Sequence, residues 1–183
     1  MNWKQPKVYA VKHKSEDVRM NSRSGGIFTA LSDKILSEDG VVYGCILTKD
    51  FLAVHARAEN VEERNKMRGS KYIQSKLGDT FKKVQEDLDA GRKVLFSGTS
   101  CQVDGLKHYL GNEYNNLLCV DIVCHGVPSK KVWKAYLSWQ EKKNKSTAIK
   151  VDFRNKRDYG WYDHVETVFF ENGKSVSSRI FKN

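Results

Sequence analysis

The sequence lacks any apolar stretch that approaches the length of a membrane-spanning helix, which is about 20 residues. Its longest apolar run extends from Val41 to Leu47 and predicts a buried strand. The N-terminus, Met1-Asn2-Trp3-Lys4, also lacks the apolar core of a signal peptide. From both absences we expect a cytoplasmic protein without a membrane span.

Cysteine is scarce: the 183 residues include four, at irregular spacing and with no close pair. A small disulfide-stabilised domain has a denser pattern, and a zinc site commonly uses two closely spaced cysteines. The sequence therefore predicts free thiols. Because no repeat, low-complexity tract or linker divides the chain, we expect a single domain over residues 1–183.

Acidic residues are fewer than basic ones, and 22 Asp and Glu against 32 Lys and Arg give a net charge of +10. Much of the excess lies between Lys130 and Asp158. Basic patches can bind nucleic acid, membrane surfaces, acidic proteins or anionic cofactors. No recognised nucleic-acid-binding motif accompanies the charge, so we expect no nucleic-acid partner and interpret most of it as a solvated, Lys-rich helix face.

The stretch from Lys93 to Ser129 organises the rest of the chain. A strand over Lys93–Ser97, a Gly-containing turn, a short helix and a strand over Leu117–Val123 make one βαβ unit, whose strands are parallel. Parallel strands share a carboxyl edge, where open α/β sheets bind ligands. Cys101 and Cys124 each follow one of these strands, so we expect both sulfurs at that edge.

The remaining patterns place helices and further strands around this unit. Helices are predicted over Ile27–Ser37, from a cap at Asn60 to Met67, over Asp79–Ala90, and from a cap at Ser129 to Lys143. Strands are predicted over Val8–Lys12, Val41–Leu47, Leu52–Ala58, Ala148–Phe153, Val165–Phe170 and Ser175–Ile180. The fold class is therefore α/β, with a mixed sheet, a central parallel βαβ unit, helices packed on it and a C-terminal β-hairpin.

Two segments have the composition of anion sites. Ser22 to Gly26 leads into a helix and offers backbone N–H groups, hydroxyls and the charge of Arg23 to a phosphate. The alternative is an ordinary helix cap made by Ser22 or Ser24. Arg68 to Tyr72 is a basic, hydroxyl-bearing turn that could hold a phosphate beside an aromatic ring, and its alternative is a plain surface turn.

These segments, in their order along the chain, resemble the beta-subunit family of coenzyme F420-reducing hydrogenases and dehydrogenases. Each is a weak signal alone, whereas the ordered set is fairly specific and spans the chain from about Lys7 to Trp161. The segments are Ser22-Arg23-Ser24-Gly25-Gly26, Arg68-Gly69-Ser70-Lys71-Tyr72, Gly98-Thr99-Ser100-Cys101-Gln102, Cys124-His125-Gly126-Val127-Pro128-Ser129 and, more weakly, Phe153-Arg154-Asn155-Lys156 with Gly160-Trp161.

The resemblance implies an oxidoreductase that uses FAD and an iron–sulfur (4Fe-4S) cluster. By this resemblance Cys101 and Cys124 would ligate the cluster or line the redox site. Cys101 and His125 are our candidates for catalytic residues. The implied partner is a ferredoxin-like or other redox protein, in a homo-oligomer or a larger complex. The residues that would hold FAD are Ser22, Ser24, Gly25, Gly26, Gly69, Ser70, Lys71, Tyr72 and Thr99.

The chain departs from the family pattern in three ways. Ser100 stands where the family usually has proline. The cysteine-rich segment with which many members begin, and the cysteines that they carry further downstream, have no counterpart, so we expect a shortened member or a fragment. Two thiols at the edge are too few for a four-ligand cluster, and Cys45 and Cys119 fall inside predicted strands.

Two other functions remain open. The first is a cysteine-nucleophile enzyme in which Cys101, at a helix start, is activated by His125 or His108, with Asp121 as a candidate orienting carboxylate. The second is a basic binding module without catalysis. In either case we expect Cys101 to be the most reactive thiol, because a helix N-terminus favours a thiolate.

Overall fold

The fold was analysed in a computed structural model that describes residues 5–179. Its helices are α1 Glu16–Met20, α2 Ile27–Leu36, α3 Val61–Asn65, α4 Thr80–Asp89, α5 Ser100–Leu110, α6 Lys130–Asn144 and α7 Lys156–Tyr159. Its strands are β1 Val41–Leu47, β2 Ala53–Ala58, β3 Val94–Thr99, β4 Leu117–Ile122, β5 Ala148–Asp152, β6 Val165–Phe170 and β7 Ser175–Arg179.

The main sheet has the strand order β2-β1-β3-β4. β2 is antiparallel to β1, and β1, β3 and β4 are mutually parallel. One face packs Tyr43 and Phe96 against α4 and α5, and the other packs Val42 and Leu95 against α2 and Met67. The predicted α/β class and its parallel βαβ unit are therefore confirmed, and β4 forms one edge of the sheet.

A second sheet, β5-β6-β7, is antiparallel and contains the predicted C-terminal hairpin. Its inner face packs Val168 and Phe170 against Trp133 and Leu137 of α6. The predicted last strand reached Ile180, which lies outside the described residues; the strand is described to Arg179.

Three local predictions are wrong. Val8–Lys12 is not a strand, and Val8 and Val11 are exposed, because none of the strands within residues 5–179 pairs with it. The helix that begins at Asn60 ends at Asn65 and not at Met67. Residues 156–159, for which no helix is predicted, form the short helix α7, which Asn155 caps by accepting a hydrogen bond from the N–H of Asp158.

β1 and β3 separate towards their carboxyl ends. Their pairing ends at Tyr43 and Phe96, although β1 continues to Leu47 and β3 to Thr99. His55 of β2 reaches into this gap and bonds through Nε2 to the carbonyl of Ser97 at 3.1 Å. The sheet therefore opens beside the carboxyl edge at which the βαβ unit ends.

Candidate functional site

The motif segments surround the loop of residues 68–77. Gln102, in the first turn of α5, donates to the hydroxyl of Ser75 at 2.8 Å, and the N–H of Gln74 donates to the carbonyl of Pro128. Tyr72 packs edge-on against Phe153, with ring centroids 6.1 Å apart. Segments far apart in the sequence thus meet at one side of the molecule, in two groups.

The first group centres on Arg23. Its guanidinium donates to the carbonyl of Arg154 and forms an ion pair with Asp152 at 2.7 Å. Arg154 in turn donates to the carbonyl of Arg23 at 3.4 Å and to that of Trp161 at 2.7 Å. These reciprocal contacts join the loop before α2 to the end of β5.

Gly69 completes this group. A Cβ at Gly69 would lie 3.2 Å from Nε of Arg23, and the backbone of Gly69 has φ +77°. Only glycine combines that backbone conformation with so close a contact at low cost. The two segments with the composition of anion sites therefore meet directly. We call Arg23, Gly69, Arg154, Lys156 and Trp161 the basic junction.

Lys156 is the buried lysine of the basic junction and is 3% exposed. Its ammonium donates to the carbonyl of Arg19 at 2.7 Å and sits 3.7 Å from the ring centroid of Trp161. Burial, and then the charges of Arg23 and Arg154, lower the pKa of Lys156 to about 8. The junction thus holds three cationic side chains around one carboxylate, Asp152.

The serines before α2 do not cap it. Gly26 is the N-cap, in a left-handed conformation, and no side chain accepts from the first turn. Ser22 instead donates to the carbonyl of Val18 at 2.7 Å, and Ser24 is exposed. The ordinary serine cap is therefore wrong as an alternative, and the first turn of α2 keeps N–H groups without a side-chain partner.

The glycines before α2 also have a structural role. A Cβ at Gly25 would lie 2.7 Å from the carbonyl oxygen of Val11, and one at Gly26 would lie 3.1 Å from Cβ of His13. Both contacts are with the chain that precedes α1. The glycines thus let residues 11–13 pass closely, whether or not a ligand also needs them.

The other side chains of the Arg68–Tyr72 turn differ in burial and in their hydrogen bonds. The Lys71 ammonium donates to the carbonyls of Lys66, Met67 and Arg68 at the end of α3, and burial lowers its pKa to about 8. Tyr72 is 37% exposed and packs edge-on against Phe153. Ser70 is half-buried. Lys71 therefore stabilises the turn, and Tyr72 is available to a ligand ring.

The second group lies at the carboxyl edge of the βαβ unit. Thr99 pairs with Ile122 across β3 and β4, so Cys101 and Cys124 each lie two residues beyond a paired position at the same edge. Both cysteines are exposed. We call Thr99, Cys101, Cys124 and His125 the cysteine edge.

Cys101 occupies the first turn of α5, whose start is fixed by a capping box between Thr99 and Gln102. The hydroxyl of Thr99 lies 3.2 Å from Sγ of Cys101. Sγ of Cys124 accepts from the N–H of Gly126 at 3.4 Å, and His125 is exposed. Cys101 thus lies at a helix start and Cys124 in an exposed loop, each with one polar contact to its sulfur.

The two remaining thiols are less accessible. Cys45 and Cys119 are half-buried, and burial raises the pKa of each thiol above its usual range. Among residues 5–179 no cluster of three or more His, Cys, Asp or Glu side chains is arranged to hold a metal ion. The cysteine edge therefore offers two ligands, which does not complete the set that a 4Fe-4S cluster needs.

Two contacts bear on the cysteine-nucleophile alternative. His108 lies seven residues beyond Cys101 on α5, roughly 10 Å along the helix, and its ring faces Asp104 at 3.5 Å. Asp121 accepts a hydrogen bond from the hydroxyl of Ser100 at 3.0 Å. Ser100, where the family usually has proline, thus ties α5 to β4. Of the two candidate bases, His125 belongs to the cysteine edge and His108 does not.

Sequence reasoning underrated two sets of residues. Arg154, Lys156 and Trp161 belonged to the weakest motif, although their charge beside an aromatic residue was a usable signal. Arg64 gave no signal, because its role depends on tertiary contacts. It is 1% exposed, pairs with Asp33 at 2.6 Å and donates to the carbonyl of Thr29, which fixes α2 to α3.

Comparison with known proteins bears on this arrangement. Residues 91–180 match the family described as the C terminus of the coenzyme F420 hydrogenase/dehydrogenase beta subunit. This part of the chain is similar to that family. The resemblance that the motifs predict is therefore confirmed, and the matched region includes the cysteine edge together with Arg154, Lys156 and Trp161.

A solved structure extends the comparison to the rest of the fold. The chain is similar to one in the xenon-derivatised F420-reducing NiFe hydrogenase complex from Methanosarcina barkeri, with a TM-score of 0.60 and 17% identity. The alignment covers 92% of this chain and 58% of that one, so our chain spans little more than half of its relative. No curated protein sequence matches significantly. None of the described helices has the length and apolarity to cross a membrane.

Proposed function

We propose that this chain is the flavin-binding part of a redox subunit, and that it holds FAD between the Ser22–Gly26 segment and the Gly69–Tyr72 turn. The observation that carries the proposal is their direct contact, in which the guanidinium of Arg23 lies against Gly69. Motif segments that the family resemblance assigns to one cofactor are neighbours in the fold. The single domain of residues 1–183 would be this flavin-binding unit.

The residues of the basic junction fit the diphosphate of FAD. Arg23 and Arg154 supply planar guanidinium groups, which suit phosphate oxygens, and the first turn of α2 adds backbone N–H groups. Tyr72, which is 37% exposed, lies on the same turn as Gly69. In this arrangement Ser22 positions the loop, while Ser24 and Ser70 supply hydroxyls to the ligand. When bound, FAD would supply one- and two-electron chemistry that side chains lack.

The cysteine edge would serve electron entry or exit. Cys101 and Cys124 are the proposed ligands of an iron–sulfur cluster, which would require further ligands beyond the pair. Thr99 would support the thiolate of Cys101 and border the flavin, and exposed His125 could supply a proton. The electron partner would be a ferredoxin-like or other redox protein. Four free thiols suit the cytoplasm, where we propose that the protein acts.

The test is reconstitution with FAD under anaerobic conditions, followed by the visible absorption spectrum of the desalted protein. We expect flavin bands from the unaltered protein and their loss in Arg23→Gln. The control is Arg57→Gln, since Arg57 is also a half-buried arginine in an ion pair, with Asp87, away from the junction. Both variants must retain the circular dichroism of the unaltered protein. Full flavin occupancy in folded Arg23→Gln would refute the placement.

The cysteine-nucleophile alternative keeps one supporting observation, the exposure of Cys101 at a capped helix start. It predicts covalent capture of an electrophilic substrate at Cys101 without flavin. Mass spectrometry of the protein after incubation with a thiol ester would show the acyl adduct on Cys101. Absence of the adduct, with flavin bands present, would favour the redox function.

A further inference from the structure

The basic junction contains buried hydrogen-bond donors without acceptors. Nε of Arg23 and Nε of Arg154 are both buried, and neither finds a partner among the described residues. The outer nitrogens of these side chains are occupied by the carbonyls of Arg23, Arg154 and Trp161 and by Asp152. Buried donors are nearly always paired in native proteins. Two buried donors of the junction therefore lack an acceptor.

The junction also has excess positive charge. Asp152 pairs with Arg23, whereas neither Arg154 nor Lys156 forms an ion pair with a carboxylate within residues 5–179. Lys156 is nearly inaccessible to water, and within residues 5–179 its ammonium donates only to a neutral carbonyl. A buried cation without a counter-ion is costly. An oxyanion would supply both the missing charge and the missing acceptors.

The surroundings of Lys156 make its proton sensitive to such an anion. The ring of Trp161 covers the ammonium and excludes water from it. Arg23 and Arg154 repel its charge, and Asp152 is the carboxylate that favours it. The charged groups that face or flank Lys156 are Arg19 from α1, Arg23 from the loop before α2, Asp152 and Arg154 from the end of β5, and Arg157 and Asp158 from α7 itself.

We propose that Arg23, Arg154 and Lys156 form an oxyanion site whose phosphate-class ligand, at alkaline pH, binds together with one proton, which Lys156 takes up from solvent. Arg23 and Arg154 contact the anion, and Lys156 is a positioning residue beneath them. The natural ligand, the diphosphate of a dinucleotide, rests on the proposed function. The existence of the oxyanion site and the uptake of the proton do not depend on the proposed function.

The sign of the coupling follows from the charges. Without an anion, burial and two arginines hold the pKa of Lys156 at about 8, below its usual 10.5. An anion nearby raises that pKa, so the complex retains a proton that the free site loses. Affinity is therefore constant below about pH 8 and falls by up to about tenfold per pH unit above it, until the pKa of the complex is reached.

The experiment is an NMR titration of the lysine side chains from pH 6.5 to 10.5, with and without sodium sulfate at matched ionic strength. Sulfate is a suitable oxyanion because it does not titrate in this range. We expect sulfate to raise the pKa of Lys156 by roughly one unit. Lys143 is the internal control, since its ammonium also lies over a tryptophan, Trp139, at 4.9 Å, but on exposed α6. Equal shifts at Lys143 and Lys156, or none at either, would overturn the proposal.

An Arg154→Gln variant provides a second test that keeps Lys156 in place. Sulfate should no longer shift the pKa of Lys156 in this variant, because one of the two anion contacts is missing. A shift as large as in the unaltered protein would contradict the assigned contacts. The Lys156→Met variant should bind inorganic pyrophosphate more weakly at pH 7, while Lys143→Met should not differ from the unaltered protein.

A parallel FAD titration separates this inference from the proposed function. If sulfate shifts Lys156 but FAD does not bind, the oxyanion site stands and the flavin assignment fails. If FAD binds but neither sulfate nor pyrophosphate affects Lys156 or competes with FAD, the oxyanion site fails and the flavin assignment stands.

Discussion

The basic junction and the cysteine edge are built in opposite ways. The junction joins chain segments 131 residues apart through side-chain donors to backbone carbonyls, and Lys156 within it is almost inaccessible to water. The cysteine edge is set by the regular register of β3 and β4, and its thiols are exposed. A preformed, buried cationic site suits tight binding of a charged group. An accessible pair of thiols suits exchange of electrons or ligands with a partner.

Removal of a side chain should lower the free energy of unfolding more at the basic junction than at the cysteine edge. The largest loss is expected at Arg23. Arg23→Met deletes the ion pair with Asp152 and the bond to the carbonyl of Arg154, which should lower the free energy of unfolding by about 2–3 kcal/mol. Cys124→Ser at the cysteine edge should change it by less than about 0.5 kcal/mol. Urea denaturation measures both. Similar losses for the two variants would show that the edge is as tightly integrated as the junction.

The stability of the fold should depend on pH through Lys156. Its pKa is about 8 in the folded chain and 10.5 as an ordinary lysine, so the unfolded state binds more protons between these values. Stability should therefore rise with pH from about 8 to about 10.5, by about 1–2 kcal/mol after allowance for solvent screening. The difference between the unaltered protein and Lys156→Met in chemical denaturation isolates this contribution, since other groups titrate in both. Lys143→Met should keep the dependence.

Alanine substitutions at two glycines should have smaller effects on stability. They separate the cost of a left-handed backbone from the cost of a close contact at the basic junction. Gly69 and Gly173 have nearly the same conformation, φ +77° and φ +78°, but a Cβ at Gly173 would meet nothing within 4 Å. Alanine at either position should cost about 1 kcal/mol for the left-handed backbone. Gly69→Ala should cost about 1 kcal/mol more, because the guanidinium of Arg23 must move. Equal costs in denaturation experiments would indicate that Arg23 does not rest on Gly69.

The cysteine edge should differ from the interior in reactivity and scarcely in stability. Under native conditions iodoacetamide should label Cys101 before Cys45 and Cys119, whose thiols have pKa values raised by burial. Mass spectrometry of digests taken over time gives the order, and the same reaction in urea should label all three at similar rates. Faster labelling of Cys45 or Cys119 in the folded protein would contradict the placement of Cys101 at an accessible helix start.

Sequence patterns predicted the structural features that depend on residues close together in the chain. The strands of the βαβ unit, the hairpins and the cap of α6 at Ser129 follow from periodicity and turn residues, and all are present. Val8–Lys12 has the alternation of a strand but finds no partner strand, which sequence alone does not reveal. Similarly, the serines before α2 have the composition of a cap, yet the close passage of residues 11–13 places glycine at the cap position.

The candidate site was predictable in its parts and not in its arrangement. The motifs gave the Ser22–Gly26 segment and both edge cysteines in family order, while the meeting of Arg23 with Gly69 and Arg154 depends on long-range packing. Lys156 could not be singled out from the sequence, because its lowered pKa arises from tertiary contacts. These are its burial under Trp161 and the charges of Arg23, which is distant in sequence, and of Arg154, which the fold holds close by. Charge counting alone placed it among the solvated lysines.

The proposed site of the flavin is the basic junction and not the cysteine edge. It is tested most directly by the dissociation constant of FAD, measured by fluorescence quenching, in Arg23→Gln and in a Cys101→Ser/Cys124→Ser double variant. We predict that Arg23→Gln weakens FAD binding by at least about tenfold, as expected for a charge-assisted contact to phosphate, while the double variant stays within about twofold of the unaltered protein. Loss of FAD from the double variant, with binding retained in Arg23→Gln, would contradict the claim.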